Sequence, residues 1–126
     1  VKHDIIMVTG GDMFGVADGP RQAVNMTKLV DVGLSPFKIL KMGTSDAAKV
    51  IGWCGEMNPY KDAYPDLTPE EKAEKGIGLG VIEAGAYADM ILLDGNPLKD
   101  IKILEDYNNN MKVIIRNGEV WKNTLK

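Results

Sequence analysis

Asp12 is the residue in this sequence whose position best suits chemistry. It follows the apolar run at residues 5–8 and the turn made by Thr9, Gly10 and Gly11. Barrels of parallel strands place catalytic groups at the C-terminal ends of their strands, and a carboxylate there can bind a metal ion or take a proton from a metal-bound water. Aspartate is also frequent in turns for purely local reasons, so the pattern leaves a structural role for Asp12 open.

Other residues that could do chemistry have simpler interpretations. The glycines of residues 76–80 resemble a nucleotide loop, but a dinucleotide site needs them after a strand and before a helix, and here the order is reversed. His3 is the only histidine and Cys54 the only cysteine, so neither a histidine-based metal site nor an internal disulfide can form. Asp89 and Asp94 flank an apolar strand, where fixing turns is expected in preference to binding calcium.

Composition excludes two classes of partner. The chain has 126 residues, a formal net charge of -3 and 44% hydrophobic residues, which is typical of a globular protein. This mild acidity argues against nucleic acid, which requires a clustered basic face. No apolar run approaches the roughly 18 residues of a membrane span. A single cysteine gives only slight preference to the cytoplasm, so the compartment stays open.

The pattern in the first half of the chain predicts one strand followed by helices. The segment 4–8 carries a continuous apolar run from Ile5 to Val8, which is typical of a strand buried on both faces, as in parallel sheets. Pro20 opens a helix that ends at Gly33, with Ala23, Met26, Thr27 and Val30 on one face. Ser35 and Pro36 begin a second helix, with Phe37 and Leu40 directed inward, and Thr44 caps a third that ends at Gly52.

The second half changes to β structure after a loop region. Thr68 and Glu71 form a capping box at the start of a short, charged and solvated helix. Strands are predicted at residues 81–82 and 88–93, and Leu98, Ile101 and Leu104 recur at helical spacing. Strands at 111–115 and 119–121 flank Asn117 and Gly118, the strongest short hairpin signal.

The predicted first strand has no partner in this sequence. A parallel neighbour needs a crossover of a dozen or more residues, and the helices that follow lead only to loops and hairpin strands. The chain also begins at Val1 with little lead-in. We therefore expect a piece of a longer protein, whose first strand associates with another copy or with a companion segment of the same parent.

Four segments together resemble the amidohydrolase superfamily. Residues 80–101 are similar to its C-terminal signature, G-x-I-x-x-G-x-x-A-D-hydrophobic-hydrophobic-x-D-x-x-P, and residues 113–120 look like its final hairpin. Residues 44–52 match its T-x-x-x-A-x-x-L-G helix, with Ile51 in the leucine place. Gly10, Gly11 and Asp12 resemble the G-T/S-D that ends the eighth barrel strand, although Gly11 replaces the usual threonine or serine. Residues 12–15 and 58–60 most resemble the imidazolonepropionase-like and prolidase-like branch.

The resemblance implies an α/β fold in three parts. Residues 1–52 would be the last β/α unit of a TIM barrel with trailing helices, residues 53–76 a surface insertion, and residues 77–126 the C-terminal strands of a small β-sandwich. The family's other metal ligands, an H-x-H pair among them, have no counterpart in this sequence. Only Asp12 carries over, as a metal ligand, usually to zinc, and as the proton shuttle for the attacking water.

The resemblance implies a metal-dependent amidohydrolase that cleaves a C–N bond of an amide, cyclic amide or dipeptide. Zinc or another divalent metal would be held by the full-length parent, and we expect this chain alone to bind none and to be inactive. The alternative is a non-catalytic protein that keeps the sandwich as a binding or assembly module.

Overall fold

The computed structural model describes residues 3, 5–10, 21–52 and 63–125. Within those ranges the helices lie mainly in the first half and the strands in the second. Helices α1 to α5 span Gln22–Thr27, Pro36–Gly43, Ser45–Gly52, Pro69–Lys75 and Tyr107–Asn110. Strands β1 to β3 span Met90–Leu93, Met111–Arg116 and Glu119–Asn123. Short 3-10 helices cover Lys28–Val32 and Ile101–Leu104.

Helices α2 and α4 begin at residues whose side chains cap them. The Ser35 hydroxyl accepts a hydrogen bond from the Lys38 amide at 3.3 Å, and Pro36 occupies the first turn of α2. At α4 the Thr68 hydroxyl accepts from the Glu71 amide and the Glu71 carboxylate accepts from the Thr68 amide, so the predicted capping box is confirmed. Each cap satisfies an amide that has no partner within its helix.

The strands form one antiparallel sheet in the order β1-β2-β3. Ile91 of β1 lies opposite Ile114 of β2, which lies opposite Lys122 of β3. The turn between β2 and β3 places Asn117 at φ 50° and Gly118 at φ 79°, the two positive angles that a type I′ hairpin needs. The predicted hairpin is confirmed, and the predicted strand at 88–93 begins two residues later. A second sheet, which a sandwich requires, is absent from the part of the chain that the structure describes.

A small core joins the helices to the C-terminal half. Ile39 of α2 is fully buried, and it packs with Ile101 and Leu104 of the second 3-10 helix. Partly buried apolar side chains surround these three: Ala23, Met26, Leu29, Val30, Leu34, Leu40, Leu93 and Met111. The buried Thr27 hydroxyl also donates to the Glu105 carboxylate at 2.6 Å, which links α1 to the chain just after that 3-10 helix.

Three predictions about the elements are wrong. Residues 5–8 form no strand, and Ile5 is 60% exposed, because no strand in the described ranges pairs with them. Residues 81–82 are not a strand either, since they lie between Gly80 and Gly85, both with positive φ, and Ile82 is 84% exposed. Phe37 points outward at 64% exposure, because α2 is rotated so that Ile39 and Met42 face the core.

Asp46 should make stability depend on acid pH. Asp46 is 4% exposed, and its carboxylate accepts a hydrogen bond from Lys38 Nζ at 3.1 Å and lies 3.6 Å from Lys41 Nζ. The hydrogen bond from Lys38 and the nearby lysine charges lower the pKa of Asp46, against the opposing effect of burial. Because the folded pKa lies below the unfolded value of about 3.9, this stabilisation is present above that pH and is lost as pH falls through the folded pKa.

We expect Asp46→Asn to lower the free energy of unfolding by about 1 kcal/mol near neutral pH, since both lysines are partly solvated. The deficit relative to wild type should shrink as pH falls from about 6 to about 2. Urea unfolding across that range measures it, with Asp31→Asn as the control, because both members of the Asp31–Lys102 pair are solvent-exposed. A deficit that stays constant down to the lowest pH would contradict this assignment.

Candidate functional site

An open depression of about 300 Å³ lies beside the residues that precede Asp12. It is bounded by the end of the extended segment, one face of α1 and the last residue of α2. Its lining comprises Thr9, Gly10, Gln22, Ala23, Met26 and Gly43. We refer to this depression as the Gly10 pocket. Every one of these side chains is uncharged, so the described lining offers hydroxyl, amide and apolar groups without a formal charge.

The absence of a side chain at Gly43 sets the depth of the Gly10 pocket. A β-carbon there would lie 2.7 Å from the Met26 sulfur and 3.7 Å from the Thr9 hydroxyl oxygen. Gln22 and Met26 are four residues apart on α1 and therefore share a helix face. Because buried Thr27 anchors the C-terminal end of that helix, the wall of the pocket is held in place by packing.

The structure places Thr9 and Gly10, but Asp12 lies outside the described residues, as does Cys54. Gly10, two residues earlier in the sequence, lines the pocket. His3 is exposed. Among the residues that the structure describes, no three or more His, Cys, Asp or Glu side chains are grouped so that they could hold a metal ion.

Asp89 fixes a turn, as the sequence predicts, whereas Asp94 pairs with a lysine of the neighbouring strand. The Asp89 carboxylate accepts a hydrogen bond from the Asn117 amide at 2.6 Å and so holds the β2–β3 turn against the chain before β1. The Asp94 carboxylate, just after β1, lies 3.1 Å from Lys112 Nζ on β2. Both carboxylates stabilise the sheet at the two ends of β1.

A second polar cluster, which sequence reasoning missed, surrounds Tyr64. The tyrosine is 3% exposed, and its hydroxyl donates a hydrogen bond to the Glu83 carboxylate. Lys75 Nζ lies 3.1 Å from the other Glu83 oxygen and 5.0 Å from the centre of the Tyr64 ring. A depression of about 330 Å³ adjoins the cluster. No sequence motif signals this contact, since Tyr64 and Glu83 are nineteen residues apart.

Electrostatics indicate that the Tyr64 cluster braces the fold. Burial, followed by the hydrogen bond to Glu83 and its negative charge, raises the pKa of Tyr64 to about 12. The hydrogen bonds from Tyr64 and then Lys75 lower the pKa of Glu83. At neutral pH the tyrosine is therefore uncharged and a poor base, and the carboxylate is ionised and already paired. Neither group has the pKa near 7 that general acid–base catalysis favours.

Comparison with known proteins gives one informative likeness. No protein-family model matches the chain, and no curated protein matches it. A solved crystal structure of an amidohydrolase does match, at 25% sequence identity and a TM-score of 0.70. The match covers 98% of this chain and 24% of the enzyme, so the chain spans about a quarter of that enzyme's length.

This likeness supports a relationship to the amidohydrolases over nearly the whole chain. It supports the superfamily-level resemblance without distinguishing the imidazolonepropionase-like or prolidase-like branch. It agrees with the mixed α/β character of the fold and with a chain that corresponds to one part of a larger enzyme. In the described residues no helix is long and apolar enough to cross a membrane.

Proposed function

We propose that this chain forms part of a metal-dependent amidohydrolase that cleaves a C–N bond of an amide, cyclic amide or dipeptide. The observation that carries the proposal is the likeness to an amidohydrolase crystal structure across 98% of the chain. The activity belongs to a longer protein, since the chain spans only 24% of that enzyme. In this proposal residues 1–52 are the end of a barrel and residues 77–126 part of a β-sandwich, within the imidazolonepropionase-like and prolidase-like branch.

Asp12 is the residue proposed to transfer the proton from the attacking water to the leaving nitrogen. Hydrolysis adds a water oxygen to the carbonyl carbon and breaks the C–N bond, and the leaving nitrogen must gain a proton. Asp12 would take the proton from the attacking water and deliver it to that nitrogen. The Gly10 pocket supports this role, because Gly10 lines it and two residues of chain span at most about 7 Å.

The metal is proposed to be zinc or another divalent ion, with Asp12 as one ligand. Such an ion would polarise the substrate carbonyl and make a bound water more acidic. Catalytic zinc usually has three protein ligands, and the described residues offer no group of three. The remaining ligands must therefore come from elsewhere in the longer protein.

Metal removal tests the proposed function. In a longer protein that carries this sequence, turnover of a neutral amide or cyclic amide should fall to the uncatalysed rate after dialysis against a chelator. Turnover should return on addition of zinc, manganese or cobalt, because the ion supplies both the acidic water and the carbonyl polarisation. A sample that is treated with the chelator and then dialysed free of it shows whether any loss of turnover is irreversible. Full turnover in the chelated sample would contradict metal dependence.

The exposed apolar side chains favour a second candidate, an assembly role. Ile5, Ile6 and Val8 are exposed in the extended segment, and Ile91 and Leu92 of β1 are exposed at the sheet edge. An unpaired edge of this kind is a template for association. We propose that these residues contact a second copy or a companion segment of the same parent, which is compatible with either function.

The association proposal predicts a complex that depends on concentration. Light scattering of this chain should show species above monomer mass at high micromolar concentration. Ile6→Lys should shift the equilibrium towards monomer, because a charge cannot be buried unpaired in such a contact. Val32→Lys, a similarly exposed apolar site on the first 3-10 helix, serves as the control. A strict monomer at every concentration would contradict association with a second copy.

A further inference from the structure

We infer that Asn117 is a site of spontaneous deamidation, and that the contact of its turn with Ala88 and Asp89 sets the rate of that reaction. Deamidation converts Asn117 into aspartate or isoaspartate, and either product loosens the hairpin of β2 and β3. This modification site is independent of the proposed hydrolase activity, because the reaction requires only the turn and water.

Asn117 and Gly118 carry both reacting groups of this modification. The Gly118 backbone nitrogen attacks the side-chain carbonyl carbon of Asn117 and loses its proton to solvent, while the side-chain nitrogen takes up a proton and leaves as ammonia. Water then opens the resulting five-membered succinimide ring at either of its two carbonyls, which gives aspartate or isoaspartate. Water enters and ammonia leaves, so the reaction needs no other reactant. Glycine favours the attack because it has no β-carbon to obstruct its nitrogen.

The turn between β2 and β3 leaves room for that ring to form. Asn117 and Gly118 are both exposed. A β-carbon added to Gly118 would have no described atom within 4 Å, so the outer side of the turn is open to water. The reacting groups are therefore accessible, and the rate depends on what holds the turn in place.

Two hydrogen bonds hold the turn closed, and one of them occupies the attacking nitrogen. The Gly118 backbone N–H donates to the Ala88 carbonyl at 3.1 Å, and the Asn117 backbone N–H donates to the Asp89 carboxylate at 2.6 Å. We refer to these two bonds as the turn clamp. While the clamp is made, the Gly118 nitrogen is bonded to Ala88 and is held away from the attack. The reaction therefore proceeds through local opening of the turn.

Both products weaken the turn clamp. An aspartate at position 117 adds a carboxylate to the residue whose backbone amide binds the Asp89 carboxylate, so two like charges repel each other. Isoaspartate adds a methylene to the backbone of a two-residue turn, whose length fixes the pairing of Arg116 with Glu119. Deamidation thus acts as an irreversible change that releases the hairpin from the chain before β1.

Peptide mapping by mass spectrometry tests the inference on the 126-residue chain at pH 8. Aspartate and isoaspartate should accumulate at position 117 faster than at Asn108, which is also exposed but is followed by a residue with a β-carbon. The reaction at Asn117 should be at least about tenfold slower in the folded chain than in the urea-unfolded chain, which has no turn clamp.

Variants of Asp89 test the turn clamp. Asp89→Ala removes one of its bonds and should raise the rate at Asn117 in the folded chain about fivefold. Asp89→Asn keeps an acceptor oxygen, so its rate should stay within about twofold of wild type. In urea all of these chains should react at the same rate, which excludes an effect on the chemistry itself.

Asp46→Asn is the matched control for Asp89→Ala. It removes a hydrogen bond from Lys38 at α3 and is expected to lower the free energy of unfolding, but it leaves the turn clamp intact. Because the reaction follows local opening of the turn and not global unfolding, the rate at Asn117 should be unchanged in this variant.

Asn117→Asp reproduces one product and tests its effect on the turn clamp. Hydrogen exchange at the Gly118 amide should be about threefold faster than in wild type, because the two carboxylates repel each other. Adding Asp89→Asn to this variant should reverse most of that increase, since it removes one of the two charges.

Four outcomes would overturn the inference. If position 117 stays unmodified in the folded chain long after the urea-unfolded chain has reacted completely, Asn117 is not a modification site of the folded protein. A slower reaction in Asp89→Ala would show that the carboxylate promotes the attack. Equal acceleration in Asp46→Asn would show that the reaction requires global unfolding, and unchanged exchange in Asn117→Asp would show that the product does not loosen the hairpin.

Discussion

Asp12→Asn is expected to reduce amide turnover by about a hundredfold or more in a longer protein that carries this sequence. That magnitude is typical for the loss of a positioned acid–base group. Asparagine keeps the shape of the side chain but cannot take up a proton from the attacking water or pass one to the leaving nitrogen. Steady-state kinetics with a neutral amide substrate measure the effect, and the fall should appear mainly in kcat.

Asp31→Asn is the matched control for that experiment. Asp31 is exposed and pairs with the exposed Lys102 at 3.2 Å, so near wild-type turnover is expected. Circular dichroism melting of both variants separates lost chemistry from lost folding. Near-normal turnover in Asp12→Asn would favour the structural role that the sequence pattern also leaves open for Asp12.

Gly80→Ala should be more destabilising than any of the substitutions above. Gly80 has a φ of 71°, which is strained for any side chain, and a β-carbon there would lie 2.5 Å from the Thr44 carbonyl carbon. The neighbouring atoms belong to backbone and cannot rotate away, so the chain between α2 and α3 must move. We expect a loss of about 3 kcal/mol or more, as strain and overpacking combine.

Gly33→Ala separates the two contributions to that loss. Gly33 has a φ of 90° but no described atom within 4 Å of its β-carbon position, so only the backbone cost of about 1 kcal/mol should appear. Urea unfolding of both variants gives the comparison. If Gly80→Ala costs no more than Gly33→Ala, the close approach of Gly80 to Thr44 does not exist in solution.

Local signals in the sequence predict the ends of elements well. Ser35 with Pro36, the Thr68 capping box and the Asn117–Gly118 turn each satisfy backbone groups within a few residues, so the structure retains them. The helix that the sequence ends at Gly33 does end there, although its last turn is a 3-10 helix. These features depend little on tertiary packing and can be predicted one at a time.

Features that depend on distant residues cannot be predicted in this way. The face that α2 buries is set by Ile101 and Leu104, more than sixty residues away, so the inward direction predicted for Phe37 is wrong. Residues 81–82 are both apolar, but they follow Gly80, which closely approaches Thr44. That contact prevents strand pairing at these residues.

The same distinction between nearby and distant residues applies to the candidate site. Sequence spacing singles out Asp12, which remains a prediction because it lies outside the described residues. The Gly10 pocket brings Thr9 and Gly43 together across thirty-four positions, and the Tyr64 cluster likewise joins separate loops. Neither contact leaves a periodic or motif-like trace in the sequence.

Anomalous scattering at the zinc edge tests the proposed role of Asp12 most directly. Crystals of a longer protein that carries this sequence, grown with zinc, would be measured above and below the absorption edge. We predict an anomalous peak about 2.0–2.2 Å from a carboxylate oxygen of Asp12, next to the Gly10 pocket. A fully occupied zinc bound elsewhere, with Asp12 hydrogen-bonded only within its own turn, would contradict that role.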